Sequence, residues 1–151
     1  MYDKNGIKIM EWASLWLLFD INARRVLRTR ELPVALPEIA DQGVAITPEK
    51  IALLQDFGQP FSSFSHKVSY RDVDTNIHMN NSIYGDLIGD AIFPAGPDQY
   101  TQRPDWKQVQ INYLAEIRLG EEVETAARRE GDSYLVTGNI SRGMAFAARV
   151  E

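Results

Sequence analysis

Cysteine is absent from the 151 residues, which removes disulfides, thiolate metal sites and a cysteine nucleophile together. Any hydrolysis would then have to use water or another nucleophile. Histidine is nearly absent as well: with His66 and His78 alone, a multi-histidine metal centre lacks ligands, and no run of carboxylates has a recognisable cation-binding spacing. No metal and no cofactor are expected. The longest apolar stretch, Trp12 to Phe19, is far short of the about 20 residues a membrane helix needs. No membrane partner is expected. The first residues include Asp3 and Glu11 and no cleavable signal pattern, so a cytoplasmic location is the default. Positive charge is also scarce, 16 Lys and Arg against 21 Asp and Glu for a net charge of −5. That argues against general nucleic-acid binding, which needs a positive surface, and an acidic partner would need a local basic patch.

What is present is an ordinary globular composition, 44% hydrophobic and 25% charged. A chain of this length can bury roughly 68–70% of its unfolded surface in one core, and two complete domains would not fit comfortably. Gly6 to Phe19 reads as a strand, Asp20 to Ala23 as a turn, and Arg24 to Arg30 as a second strand. Such a hairpin is marginal alone and needs a partner. From Glu31 to Pro60 four prolines, Pro33, Pro37, Pro48 and Pro60, mark a linker, with a short helix starting at Thr47-Pro48 and stopping at Gly58. A strand is expected at Phe64 to Tyr70. Then Ile83, Tyr84, Leu87, Ile88, Ala91 and Ile92 recur at helical spacing, with Asn80 or Asn81 as cap and Pro94 ending the helix near Phe93. Gly85 and Gly89, four apart, predict a close backbone approach there. Strands follow at Val109 to Ile117, Glu122 to Arg129, Ser133 to Ile140 and Met144 to Val150. One long helix among antiparallel strands is an α+β layout.

The chemistry is concentrated in Tyr70-Arg71-Asp72-Val73-Asp74-Thr75-Asn76-Ile77-His78-Met79-Asn80-Asn81, between a strand and a helix N-terminus. Sites are commonly built on loops held by rigid elements. Free N–H groups at a helix start favour a nearby oxyanion, which is what a thioester carbonyl becomes when water attacks it.

Asp74-x-Asn76-x-His78 followed by Asn80-Asn81 resembles the catalytic loop of the acyl-acyl-carrier-protein (acyl-ACP) thioesterases. Ile111-x-Tyr113-x-x-Glu116-x-x-x-Gly120 is similar to that family's second signature strand, and Ser14-x-Trp16 with Asp20, Arg24 and Arg25 to the end of its first hotdog domain. The resemblance implies a hotdog fold, an antiparallel sheet wrapped around one central helix, preceded by a β-hairpin remnant of a first hotdog domain. The implied boundaries are 1–30 for the remnant, 31–60 for the linker and 61–151 for the second hotdog domain. It implies hydrolysis of fatty acyl-ACP thioesters, with acyl carrier protein as partner and pairing with another hotdog unit or copy. Carried over by position, Asp74 or Glu116 would activate water, His78 would orient it or carry protons, and Asn76 would hold the thioester carbonyl or the developing oxyanion. Ile117 stands where plant members can have cysteine, which leaves no thiol route, and Met79 where valine is common.

Plainer readings stand beside these. His66 lacks the asparagine and aspartate company that His78 has and reads as structural. One of Asn80 and Asn81 reads as a cap only. Glu116 has the opposite parity from Val109, Ile111 and Tyr113, which the core would claim, and a bulge near Ala115 could turn it inward. Arg24, Arg25, Arg28 and Arg30 could face an acidic carrier, or merely protect a solvated edge strand. An acyl-CoA thioesterase of the 4-hydroxybenzoyl-CoA type and a non-catalytic acyl-binding module are the alternative functions.

Overall fold

The computed structural model describes residues 1–14, 18–20, 22–23, 25–32, 34, 51, 58–94 and 106–151. The helix expected from Thr47 lies outside them, as do Trp16 and Arg24. The chain divides into two compact units, Met1–Glu49 and Lys50–Glu151.

In the first unit β1 (Leu18–Asp20) and β2 (Arg25–Leu27) form an antiparallel hairpin with Leu18 opposite Leu27. Its turn is held as the sequence suggests, by Asp20 Oδ1 accepting from the amides of Asn22 and Ala23 at 2.9 Å each. The strands are shorter than expected. At the start, Asp3 Oδ1 accepts from the amides of Asn5 and Ile7, and Gly6 adopts φ 79°. A turn therefore interrupts the alternating run, leaving only a bridge between Tyr2 and Lys8. After β2, the Glu31 carboxylate accepts from the Arg28 amide and the Arg25 guanidinium, both at 2.8 Å, and closes a 3-10 turn over Thr29–Glu31. Arg25 is thereby paired within its own hairpin.

The second unit holds β3 (Ser62–Lys67), α1 (Asn81–Ile92), β4 (Val109–Tyr113), β5 (Glu122–Glu130), β6 (Ser133–Ile140) and β7 (Gly143–Val150). The strands make one antiparallel sheet in the order β3-β5-β6-β7-β4. Helix α1 packs across it and buries Tyr84, Leu87, Ile88, Ala91 and Ile92, the stripe expected at 3.6-residue spacing. The helix begins as its sequence dictates: Asn80 Oδ1 accepts from the Ser82 amide at 3.0 Å and from the Ser82 hydroxyl at 2.9 Å. Asn80 is therefore the cap, and Asn81 the first helical residue. Phe93 closes the other end, before Pro94. Among the described residues no backbone comes close to the two helix glycines: a Cβ on Gly85 would meet nothing within 4 Å, and one on Gly89 only the Trp106 ring at 3.7 Å.

Strand alternation builds the two faces. On the helix side Ala127, Val136, Ala148 and Ile111 form one cross-strand row, and Phe64, Thr125, Gly138, Phe146 and Tyr113 the next. On the other side Leu135 lies between Arg128 and Arg149, and Glu130 accepts from both guanidinium groups at 2.9 and 2.8 Å. The aliphatic stems so fixed cover Leu135, which is 6% exposed.

Two strand ends differ from expectation. β3 stops at Lys67 because Asp72 gathers the Ser69 amide and hydroxyl and draws Tyr70–Asp72 into a 3-10 turn. β4 stops at Tyr113 because the next two amides, Leu114 and Ala115, both donate to the Ala145 carbonyl, at 2.7 and 3.0 Å. Two residues against one is the pattern of a bulge.

Candidate active site

The loop before α1 is a small closed turn. Val73 and Met79 form an antiparallel bridge, and inside it the Asp74 amide donates to the His78 carbonyl at 2.9 Å while the Ile77 amide donates to the Asp74 carbonyl at 3.0 Å. Asp74 Oδ1 accepts from the Asn76 amide at 2.8 Å and the His78 amide at 3.3 Å. The aspartate thus shapes the loop with its side chain as well as its backbone. The turn forces Ile77 to φ 63°, a conformation that costs a β-branched residue energy and tends to occur where function demands it.

Two anchors position this turn. On one side the Asn80 amide donates to the Asp72 carbonyl at 2.8 Å. The Asp72 carboxylate, 3% exposed, accepts from the Ser69 amide and hydroxyl at 2.7 Å each and lies 3.1 Å from His66 Nε2. Burial opposes its ionisation, but the bonds from Ser69 and His66 prevail and hold its pKa below the usual carboxylate value. His66 thus contacts the buried carboxylate that anchors this side of the turn. On the other side the Met79 amide donates to the Ile117 carbonyl at 2.7 Å, and His78 bridges to Arg118.

That bridge decides which side chains meet. Met79 and Ile117, 3% and 0% exposed, enter the core. Neighbouring positions in extended chain point oppositely, so His78 emerges on the solvent side together with Glu116 and Arg118. His78 Nε2 lies 3.3 Å from Glu116 Oε2, and an Arg118 guanidinium nitrogen lies 3.2 Å from the same oxygen. Glu116 keeps the parity opposite to Ile111, Tyr113 and the buried Ile117, so the bulge at Leu114 and Ala115 does not turn it inward: it stays on the rim, its side chain 55% exposed.

The segment after Glu116 is fixed from beneath. Glu121 Oε2 accepts from the Arg118 amide at 2.8 Å, its two oxygens take Arg142 at 2.9 and 3.1 Å, and Arg142 also donates to the Glu116 carbonyl at 3.0 Å. Partial burial works against Glu121 ionising, yet these bonds lower its pKa overall. Gly120 closes the turn at φ 84°, where a side chain would be strained. Behind the site Phe146, Tyr84 and Tyr113 stack edge to face, with centroids 5.1 and 4.8 Å apart. Burial, with the nearby Tyr113 and Glu116 charges, pushes the Tyr84 hydroxyl up to about 12.

Of the four residues singled out in the sequence, His78 and Glu116 are in contact, Asp74 is bonded to the main chain of Asn76 and His78, and Asn76 is exposed at the turn. The Asn76 carboxamide makes no hydrogen bond among the described residues. Arg118, Glu121 and Arg142 escaped sequence reasoning. Charged residues beside a glycine turn look like solvated surface, and only the Arg118 register with His78 could have singled out one of them. Among the described residues no cluster of His, Asp or Glu could hold a metal ion, and no helix is long and apolar enough to cross a membrane.

A family model described as the acyl-ACP thioesterase C-terminal domain matches residues 59–144, more than half of the chain. The chain belongs to that family. Solved acyl-ACP thioesterase structures share its fold. The acyl-ACP thioesterase from Bacteroides thetaiotaomicron is 20% identical at a TM-score of 0.61, the match covering 87% of this chain and 51% of that one. For the 12:0-ACP thioesterase from Umbellularia californica the identity is 17%, the TM-score 0.61, and the coverage 88% and 52%. A thioesterase from Thermus thermophilus, solved with coenzyme A and Zn, is 22% identical at a TM-score of 0.52, over 61% of this chain and 82% of its own. At these identities the likeness is one of fold, the hotdog fold of one helix against a five-stranded antiparallel sheet. The chain spans about half the length of the two acyl-ACP thioesterases. No curated protein matches it in sequence. Family membership supports thioester hydrolysis as the general chemistry.

Proposed function

We propose that this chain hydrolyses fatty acyl thioesters carried on acyl carrier protein, releasing free fatty acid in the cytoplasm as a step that ends fatty acid synthesis. The observation that carries the reading is the 3.3 Å contact between His78 Nε2 and Glu116 Oε2, next to a helix start, in a chain whose family acts on such thioesters. Glu116 takes a proton from water as the water oxygen bonds to the thioester carbon. Asn76 and the helix N-terminus stabilise the oxyanion. When the intermediate collapses the C–S bond breaks, and the proton passes to the departing sulfur through His78, giving acid and thiol. Asp74 shapes the loop in this scheme, since its Oδ1 already takes two amides. The hairpin in the first unit is read as the remnant of a first hotdog domain, and a further hotdog unit or second copy as the partner of the sheet.

The test is thiol release by the purified chain from acyl-ACP and from the matching acyl-CoA. The absence of cysteine leaves a thiol reagent nothing in the enzyme to react with. Acyl-ACP should be the better substrate. Better turnover of acyl-CoA moves the reading to an acyl-CoA thioesterase, and no turnover of either, with acyl chains still bound, moves it to a binding module. His78→Ala and Glu116→Gln should each lower turnover by about 10²–10⁴ and Asn76→Ala by about 10²–10³. Undiminished turnover in all three variants ends the mechanism.

A further inference from the structure

Glu116 Oε2 has two neighbours, His78 at 3.3 Å and Arg118 at 3.2 Å, and Oε1 has no protein partner among the described residues. A carboxylate on an exposed side chain, 55% accessible, rotates freely unless something directional holds it. A flat guanidinium beside one oxygen supplies direction, because its donors lie in a fixed plane. Arg118 is itself placed without freedom at the main chain: its amide is bonded to Glu121, Glu121 to Arg142, and Arg142 to the carbonyl of Glu116. The circuit closes on the residue it serves.

We propose that Arg118 is a positioning residue for Glu116, turning Oε2 toward His78 so that Oε1 faces the attacking water. The inference rests on Glu116 being the base in the proposed hydrolysis. Stability is not the purpose of the pair: Arg118 and Glu116 are 60% and 55% exposed, and ion pairs so accessible contribute little to folding. The Arg118 side chain touches neither water nor thioester in this scheme. It limits the carboxylate to the orientation from which proton transfer is possible, and misplacement of a reacting group by about 1 Å can cost about 10² in rate.

The experiment is a kinetic comparison of Arg118→Gln, Arg118→Lys, Glu116→Gln and the Arg118→Gln/Glu116→Gln double variant, on the acyl thioester the chain turns over best. Arg118→Gln should lower kcat by about 10- to 10²-fold and leave KM within about twofold, the signature of an interaction needed in the transition state. Arg118→Lys, which restores a cation but not the fork, should recover part of that loss. On the Glu116→Gln background Arg118→Gln should cost nothing further, because a residue acting through Glu116 has nothing left to position. An equal loss on both backgrounds, or a rise in KM alone, overturns the inference. If Glu116→Gln itself leaves turnover unchanged, the base assignment fails. If Glu116→Gln is inactive and Arg118→Gln is normal, only the positioning role fails. Should the chain show no turnover, a crystal structure of Arg118→Gln decides the matter: Glu116 should leave His78, and a retained contact of about 3 Å overturns the proposal.

Discussion

Gly138 lies at the centre of the inner sheet face, opposite Thr125 on one side and Phe146 on the other. The Phe146 ring occupies the space a side chain would need. A Cβ built on Gly138 would stand 2.6 Å from Phe146 Cζ and nearer still to two other ring atoms, whereas carbon atoms prefer about 3.5–4.0 Å. Relief requires the nearest ring atom to move by roughly 1.5 Å or more, and the ring has nowhere to go. Phe146 is fully buried, and Tyr84 meets it edge to face with centroids 5.1 Å apart. Gly138→Ala should therefore incur overpacking of about 3 kcal/mol, offset by about 0.5–1 kcal/mol gained because alanine is the less flexible residue when unfolded. The expected net loss of about 2 kcal/mol lowers the melting temperature by about 8–16 °C in a unit of this size. Denaturant unfolding measures it, with Gly138→Ala/Phe146→Leu as the second arm. Since the smaller side chain makes room for the methyl group, the double variant should be destabilised by less than the sum of the single changes. Gly138→Ala within about 0.5 kcal/mol of wild type, or strict additivity with Phe146→Leu, would refute the packing argument.

Asp72→Asn should cost about 2 kcal/mol at pH 7, since hydrogen bonds to a charged group contribute about 1.5–3 kcal/mol. Because the folded-state pKa of Asp72 is lowered, its stabilisation is complete above the unfolded value of about 3.9 and lost as pH falls through the folded one. The stability gap between wild type and variant, followed by denaturant titration, should therefore narrow only below about pH 4. Asn80→Ala removes the α1 cap and should cost about 1 kcal/mol, whereas Asn81→Ala, beyond the cap, should cost less in the same assay. Ile77→Gly relieves the positive φ of an exposed side chain and should leave thermal stability unchanged or raise it by up to about 1 kcal/mol, against the usual penalty for glycine. A marked fall in melting temperature would show that Ile77 carries no strain.

The sequence by itself determined the elements whose signals are local. The α1 stripe from Ile83 to Ile92, its asparagine cap, the stop at Pro94 and the limits of β5, β6 and β7 follow from period, cap chemistry and turn residues acting within a few positions. It also singled out His78, because the Asp74, Asn76 and His78 pattern is contiguous. Local signals misled wherever a short polar side chain captured the backbone. Asp3 broke the first strand, Glu31 the second, and Asp72 shortened β3, each by accepting amide hydrogens that an extended ladder would otherwise have used. Only tertiary structure could decide the partner of His78. Glu116 is 38 positions away along the chain, and the two meet through the bond from the Met79 amide to the Ile117 carbonyl and the bridge between His78 and Arg118. Extended chain alternates its side chains, so a slip of one residue in that bridge would put Ile117 beside the histidine and bury the glutamate. Register between distant segments is set by which apolar residues the core accepts, here Met79 and Ile117, and no pattern within either segment encodes that choice.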